Sequence, residues 1–574
     1  MRPAQISESI TNLFASDRAL LPYSVLGLTI GLLSAIAVLS FEGFIAAMAN
    51  LWLPAPGPEN FEALPSWQRF ALPLASALVL ALLYSVLPYE NREAGIVHVL
   101  SRMESHYGLL PMRNALLQFF AGALALAGGQ SGGREGPGVH LGAAVGSGLS
   151  QWLGLPNSSQ RIVIACGTAG GIAAAFNTPL AGVVFAMEVI VAEYTVVGFT
   201  PVIVAAISAT ALSHALGGGF TQFDMPDVGL GSLWDLPLIL LLGLIAGTLA
   251  AAFTRILKHT LRRSTGFSVS WRFLAAGLLT GSCAVAVPEV MGIGYDSLNA
   301  ALLGELAPTL LLTLLFAKLV TSACSVGLGM PIGVIGPSLL IGGCAGSLLG
   351  IAAETVMPGM AFQPSLYGVI GMGAVMAAML NAPLAALLAV VELTGSASAS
   401  FPTMLAVITA NLTVNAGWRS HAVHQTVLQH LQRIIPEDPI SQMLHRSNVI
   451  SAMDRSLSIM TSQLSGEAAL HEDLPKWCLI KRDAQYLSLM RGADVFAFTQ
   501  SLPADETVDL LEQDLRRWTL TSLSPRASLR EALDAMRRDN TEAVIIVDKR
   551  QQGDTGVLGV LTRDIIDQFF LLRL

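Results

Sequence analysis

Long apolar runs separated by short polar or glycine-rich breaks fill the chain from Pro22 to Trp418. They lie near 22–50, 70–87, 114–127, 160–191, 199–216, 233–254, 273–287, 306–326, 333–353, 366–393 and 401–418. A helix needs about 20 apolar residues to cross the hydrocarbon core, so some of these runs are long enough to span and some are not. Short runs broken by Gly or Pro are expected where helices stop inside the membrane around a substrate, because backbone groups freed there must line a protein-enclosed cavity. The pattern predicts an all-α polytopic membrane domain with broken helices over residues 1–425. After about Gln425 the runs give way to charged, shorter alternation, which predicts a small α/β domain over 426–574.

Hydrophobic residues make up 53% of the 574 and charged ones only 13%, with mean hydropathy +0.60, which excludes a soluble protein with a solvated surface. The first residues, MRPAQISESITNLFASDRALLPYS, lack a basic, apolar and small-residue cleavage pattern, so the first span is expected to be retained. Arg255, Lys258, Arg262 and Arg263 read as a basic loop, which puts that loop and the C-terminal domain in the cytoplasm; a bacterial inner-membrane location is the expectation. Cys166, Cys283, Cys324, Cys344 and Cys478 show no CxxC or Cys/His ligand spacing, so free packed thiols and no metal site are expected. The net charge of −8 decides little about an anion substrate, because selectivity is set by the local lining of a pore. No nucleic-acid partner is expected.

One glycine-rich stretch with polar residues stands inside the apolar region: SGGREGPGVHLGAAVGSGLSQ, Ser131 to Gln151. Gly132 and Gly133 permit a sharp turn, Pro137 suits the first turn of a helix and the later glycines permit close packing, so a loop opening into a helix is predicted. The first amides of a helix lack internal partners and lie at the positive end of its dipole, so the backbone at Arg134, Glu135 and Gly136 is suited to an anion. The Glu135 carboxylate would stand at the anion's own site, occupying it when ionised and leaving it when protonated or outcompeted. That is the basis of a gate. The alternative from these residues alone is a packing corner whose Arg134 and Glu135 face water at an interface.

Gly133, Gly136, Pro137, Gly142, Gly146 and Ser147 recur as Gly333, Gly336, Pro337, Gly342, Gly346 and Ser347. FNTPLAGVVFAMEVI, Phe176 to Ile190, is likewise matched by LNAPLAALLAVVELT, Leu380 to Thr394. Two ordered matches predict an inverted repeat, with halves near 22–216 and 233–418 facing each other across a pseudo-twofold axis around one anion site. Val334 and Ile335 take the places of Arg134 and Glu135 in the second half, offering amides without a gating carboxylate. Asn177 and Asn381 read as caps of helices opening at Pro179 and Pro383, so that Phe176 presents a helix start toward the site, with core packing as the alternative. Glu188 and Glu392 hold matching places, either as functional intramembrane carboxylates or as braces for adjoining helix ends. His140 and His214 read as hydrogen-bonded packing residues.

Together these residues resemble the CLC family of chloride channels and chloride/proton exchangers, over roughly Pro22 to Leu428. GREGP, Gly133 to Pro137, is similar to the family signature, which implies that Glu135 is the external gate and, in exchangers, a proton carrier. GVIGP, Gly333 to Pro337, resembles the family's GIFAP element, which implies anion binding by the amides of Val334 and Ile335. The family's GSGIP motif falls at EAGIV, Glu93 to Val97, so its serine is replaced by Ala94, and the pore-lining tyrosine position aligns with His424. The internal proton-transfer glutamate position is Val189, and a buried valine carries no proton. Glu193, one turn beyond, is the candidate substitute. The resemblance implies chloride or a similar small anion as substrate, protons if exchange is retained, a homodimer in lipid, and neither cofactor nor enzyme activity.

Ser524 to Phe569 reads as a capped amphipathic helix, a β-branched strand, a turn, a second strand and another helix. It resembles a cystathionine-β-synthase (CBS) motif within 521–574. Pro439 to Gln500 reads as a degenerate partner motif with WCLIKRD and VFAFTQS as candidate strands, and Gln429 to Asp438 as the helix leading into it. CBS pairs in the family regulate transport, and some bind adenine nucleotide through Thr or Ser followed three positions later by Asp. Here Thr562 is followed by Asp564, a spacing that speaks against nucleotide and leaves a dimer-stabilising domain as the alternative.

The leading expectation is gated anion permeation, channel-like on account of Val189. The alternative is chloride/proton exchange through Glu135 and another internal relay. A different class, an intramembrane serine hydrolase, is suggested by G-x-S-x-G at Gly129 to Gly133, with Ser131 as nucleophile and His214 as base, but it leaves Glu135 and the second half without a role. A nucleotide-sensing membrane scaffold without transport leaves the paired glycine motifs unexplained.

Overall fold

The computed structural model describes residues 20–571 apart from 55–58, 193–195, 217–234, 359–361, 434–443, 445–446, 466–473, 483–484, 504–506 and 549–552. These form two compact units, one comprising Leu20–Gln151 and Arg161–Ile435, the other including Trp152–Gln160 and Pro436–Leu574.

The first unit is built of helices. In chain order they are α1 (Leu20–Ala49), α2 (Ser66–Val86), α3 (Gly95–Ser105), α4 (Met112–Ala127), α5 (Glu135–Leu153), α6 (Gln160–Phe176), α7 (Pro179–Phe185), α8 (Val196–Ala215) and α9 (Asp235–Ser264). There follow α10 (Val269–Ala286), α11 (Tyr295–Leu302), α12 (Pro308–Gly327), α13 (Ile335–Val356), α14 (Pro364–Leu380), α15 (Pro383–Thr394), α16 (Ser400–Leu412) and α17 (Val423–His430). Seven of the described helices, α1, α2, α8, α9, α10, α12 and α13, are long and apolar enough to cross a membrane. The chain is a multi-pass integral membrane protein.

The other apolar helices are short because long apolar runs are broken. The 160–191 run breaks at Asn177 and the 366–393 run at Asn381, whose φ angles are 59° and 54°. These asparagines were expected to cap the helices that follow. Instead Thr178 and Ala382 hold the N-cap positions, and each Asn turns the chain in the left-handed region, which Asn tolerates better than most residues. Phe176 is the last residue of α6, so it presents no helix start of its own. A second correction concerns the expected basic loop: Arg255, Lys258, Arg262 and Arg263 lie within α9, where cations suit the carbonyl end of a long helix.

Backbone-to-backbone packing repeats in the two halves. A Cβ at Gly142 of α5 would come 2.1 Å from the Gly167 carbonyl oxygen of α6, and one at Gly342 of α13 would come 2.2 Å from that of Gly371 in α14. In lipid, helix association depends on such close contact between small residues.

The matched carboxylates brace helix starts across the repeat. Glu188, in the π-turn that extends α7, accepts from the amides of Leu384 (3.3 Å) and Ala385 (2.8 Å) at the start of α15. Glu392 of α15 accepts from those of Leu180 (3.0 Å) and Ala181 (2.8 Å) at the start of α7. Each satisfies two amides that lack partners within their own helix.

The second unit is a small α/β assembly. One sheet has the order β1 (Leu457–Thr461), β3 (Trp477–Arg482), β4 (Gln485–Arg491), and another the order β6 (Leu520–Leu523), β7 (Ala543–Val547), β8 (Val557–Thr562). In both, the first pair is parallel and the second antiparallel. Short strands β2 (Gln463–Ser465) and β5 (Thr507–Asp509) pair with each other. The predicted helix, two strands and final helix of Ser524 to Phe569 form as expected, with a capping box joining Ser528 and Glu531 at the start of Leu529–Asp539.

WCLIKRD supplies β3, whereas most of VFAFTQS falls in the helix Gly492–Thr499 instead of a strand. Val495 and Phe498 of that helix pack on one apolar cluster, and their separation of three is helical spacing. Of the expected helix at Gln429 to Asp438, α17 ends at His430 and 431–433 turn away from it, while 434–438 lie outside the described residues. All five cysteines are free thiols.

Candidate functional site

The two glycine-rich loops meet each other. The amide of Gly133 donates to the Gly333 carbonyl at 2.8 Å, and that of Gly333 donates to the Gly133 carbonyl at 2.7 Å, so equivalent residues of the two halves pair directly. A Cβ at Gly333 would lie 2.6 Å from the Gly136 nitrogen, which explains why the crossing is made of glycine. The starts of α5 and α13 are thereby brought together.

Glu135 is the first residue of α5 and is 1% exposed. Its carboxylate reaches across the repeat: Oε2 accepts from the Gly336 amide at 3.1 Å, and Oε1 accepts from the Tyr295 hydroxyl. The Gly336 amide is in the first turn of α13 and has no partner inside that helix, so the carboxylate rests where a small anion would be held. The amide so engaged is one residue beyond the Val334 and Ile335 pair singled out from the sequence.

Tyr295 is fixed from several sides. Its amide donates to Glu59 at 2.9 Å, its ring meets that of Phe176 edge-on at 6.2 Å, and the Arg134 guanidinium lies 5.6 Å from its ring centre. Arg134 also pairs with Glu42 of α1 at 3.3 Å and donates to the Ala175 carbonyl at 3.3 Å. Its side chain is engaged in the wall of the site. Lys318 of α12, fully buried, donates to the carbonyls of Val290 (3.1 Å) and Gly292 (2.9 Å) and so anchors the loop leading to Tyr295. Glu59 and Glu62 lie between α1 and α2; burial, reinforced by Asp296, pushes both carboxyls up to about 7.

A cavity of about 240 Å³ reaches Gly136, Gly333 and Val334, beside Glu135. Ala94, the N-cap of α3, and His424, near the start of α17, form part of its wall, so the two positions aligned with hydroxyl ligands face one space and neither carries a hydroxyl. Arg92, Arg272 and Arg433 line it with Glu93, which leaves the lining cationic. Phe176 and Ile335 line a separate, small apolar pocket of about 20 Å³. The structure thus brings Glu135, Gly136, Val334, Ala94 and His424 around one region.

Val189 is 7% exposed within the π-turn after α7, and Glu193 lies outside the described residues. Ser131 bonds with Ser322 (2.9 Å) and accepts from Thr321 (3.0 Å), while His214 is exposed on α8, so the Ser131–His214 pair required by the hydrolase reading is not formed. Sequence reasoning missed Tyr295, Glu59 and Lys318. Only Lys318 carried a local signal, as a lone cation in LLLTLLFAKLV.

A family model described as voltage gated chloride channel matches residues 75–415. A ClcB-like chloride channel relative from Ralstonia nicotianae is 32% identical, over 67% of this chain and 92% of its own. An H(+)/Cl(-) exchange transporter ClcA from Vibrio cholerae is 30% identical over 76% of this chain and 97% of its own. Among solved structures, a slow cyanobacterial Cl-/H+ antiporter aligns with TM-score 0.64 at 20% identity over 71% of this chain and 97% of that one. A eukaryotic CLC transporter aligns with TM-score 0.60 at 19% identity, over 95% of this chain and 98% of that one.

Proposed function

The chain belongs to the CLC family of voltage-gated chloride channels, whose work is chloride transport, and from that premise we propose that Glu135 is the gate of its anion path. The observation that carries this reading is the Glu135 carboxylate on the Gly336 amide, a negative group held by the helix start of the opposite half. When that carboxylate leaves, the paired helix starts can take up chloride arriving through the cationic cavity that reaches them. Among the modes of transport, Val189 favours channel-like permeation, because an apolar side chain stands at the position where the family's exchangers carry an internal glutamate.

Exchange of chloride for protons is the second reading, favoured by a specific observation. Glu93, His98 and His140 form a chain of titratable side chains beginning at the cavity and ending on α5, the helix that Glu135 opens. The experiment that decides is simultaneous measurement of chloride and proton flux from proteoliposomes under a chloride gradient with the voltage clamped. Chloride flux abolished by a chloride-blocking condition but unaltered by Glu135→Ala and Glu135→Gln would remove Glu135 from the gate.

A further inference from the structure

The cations expected to form a loop stand instead on one face of a helix. Arg255, Lys258, His259, Arg262 and Arg263 follow one another at helical spacing along the end of α9, and all five are exposed. The opposite face, with Thr254, Leu257, Leu261 and Ser264, is buried. It packs on the rest of the fold: a Cβ at Gly327 of α12 would lie 3.2 Å from the Leu257 carbonyl oxygen, and the Thr265 hydroxyl meets Nε2 of His430 at 3.2 Å. Burial of that face turns the basic stripe outward.

The stripe begins where the apolar part of α9 ends. Leu236 to Phe253 carry no charge and make about 27 Å of helix, close to the ~30 Å of a hydrocarbon core. Arg255 is the first cation beyond it, and Arg263 follows within about 12 Å, so the stripe enters the headgroup layer. Aromatic rings accompany it. Nε1 of Trp418 donates to Thr248 of α9 at 3.3 Å, and the Arg255 guanidinium lies 4.3 Å over that ring. Phe267 and Trp271, 64% and 68% exposed, come next in the chain, and Trp in particular favours the boundary between hydrocarbon and water.

Nothing within the described residues neutralises these cations. No acidic residue stands between Asp235 and Glu289. Among the described residues Arg255, Lys258, Arg262, Arg263 and the neighbouring, exposed Arg419 make no ion pair. We propose that this stripe is a docking surface for the phosphate headgroups of anionic membrane phospholipids. Guanidinium groups present paired N–H donors to phosphate oxygens, and a cluster of this size beside a spanning helix attracts anionic lipid. A zwitterionic lipid brings its own cation, which opposes the same attraction. Cations that served only to orient the helix during insertion would not distinguish one headgroup from the other afterwards. The inference is independent of the gate at Glu135.

The test uses the full chain, purified and delipidated in a neutral detergent and titrated with dioleoylphosphatidylglycerol or dioleoylphosphatidylcholine while bound lipids are counted by native mass spectrometry. The variants are Arg262→Gln combined with Arg263→Gln, and Arg537→Gln as a charge control in the C-terminal unit, where Arg537 is exposed. The expected preference for phosphatidylglycerol is about 25-fold or more, and the double variant lowers it by about that factor, at about fivefold for each cation removed. Arg537→Gln should keep the preference within about twofold. Equal affinity for the two lipids in the wild type, or a preference that the double variant retains within about twofold, overturns the proposal. Displacement of phosphatidylglycerol by an equal concentration of inorganic phosphate makes this a site for free phosphate and overturns the lipid assignment. Should the double variant not fold, Lys258→Gln alone decides, with an expected loss of about fivefold.

Discussion

The hydroxyl of Tyr295 donates to the carboxylate of Glu135 across 160 positions of sequence, while the other carboxylate oxygen accepts from the Gly336 amide. Both oxygens are therefore engaged, one by a side chain and one by a helix start. Hydrogen bonds to a charged group contribute about 1.5–3 kcal/mol each, enough to set how often the carboxylate leaves. Tyr295 in turn is placed by Glu59, Arg134 and the Lys318-anchored loop, so the hold on the Glu135 carboxylate, the gate we propose, depends in part on residues outside the glycine motif.

Tyr295→Phe removes one of the two carboxylate contacts and keeps the ring against Phe176. Chloride efflux from proteoliposomes at fixed pH should rise about tenfold to a hundredfold if the lost bond contributes about 1.5–3 kcal/mol. Efflux at the wild-type rate would mean that the hydroxyl does not hold the gate shut.

Glu135→Gln imitates the protonated gate, and Glu135→Ala leaves the Gly336 amide without a side-chain competitor. Both should flatten the dependence of chloride flux on pH, with the alanine variant giving the more open path. Flux measured across the range of about pH 4 to 8 checks this, and a wild-type profile in both variants would count decisively against it.

The parts of this site that were legible in the sequence are those with fixed local spacing. Gly133, Gly136 and Pro137, with their copies at Gly333, Gly336 and Pro337, announced paired helix starts because glycine is needed where backbones cross and proline suits a first turn. The matched Glu188 and Glu392 could be read as braces for the same reason. Tyr295 was not legible, because its bond to Glu135 depends on how the halves close, and a single tyrosine in GIGYD carries no periodicity. The His98–His140 contact was hidden likewise by its span of 42 positions. The same limit explains VFAFTQS: over so short a segment, apolar residues fit a strand and a helix equally well, and packing on the cluster around Val495 decides for the helix.

The reciprocal braces should contribute to stability more than to chemistry. Removing either carboxylate, as in Glu188→Ala or Glu392→Ala, frees two amides at the start of the opposite short helix. The expected loss is about 1–2 kcal/mol for each, similar to loss of a helix cap, with Glu→Gln retaining part of it. Thermal unfolding in detergent reads this directly, and variants that melt with the wild type would show that the contacts are dispensable.

Glu59 and Glu62 make stability depend on pH in a direction set by their raised values. Burial, with Asp296 nearby, holds both carboxyls near 7 instead of the usual 4.5, so the folded chain keeps protons that the unfolded chain gives up. Their contribution is complete below pH 4.5 and is lost as the pH climbs through about 7, which makes the protein less stable at the alkaline end. Each group adds at most about 1.4 kcal/mol per pH unit across that window. Melting in detergent between about pH 5 and 8 should therefore fall with rising pH, and Glu59→Gln or Glu62→Gln should each flatten the slope. Because a glutamine oxygen can still accept from the Tyr295 amide, Glu59→Gln should, like Glu62→Gln, change the melting slope and leave the hold on Tyr295 in place. A slope that neither substitution alters would place the pH dependence on other groups.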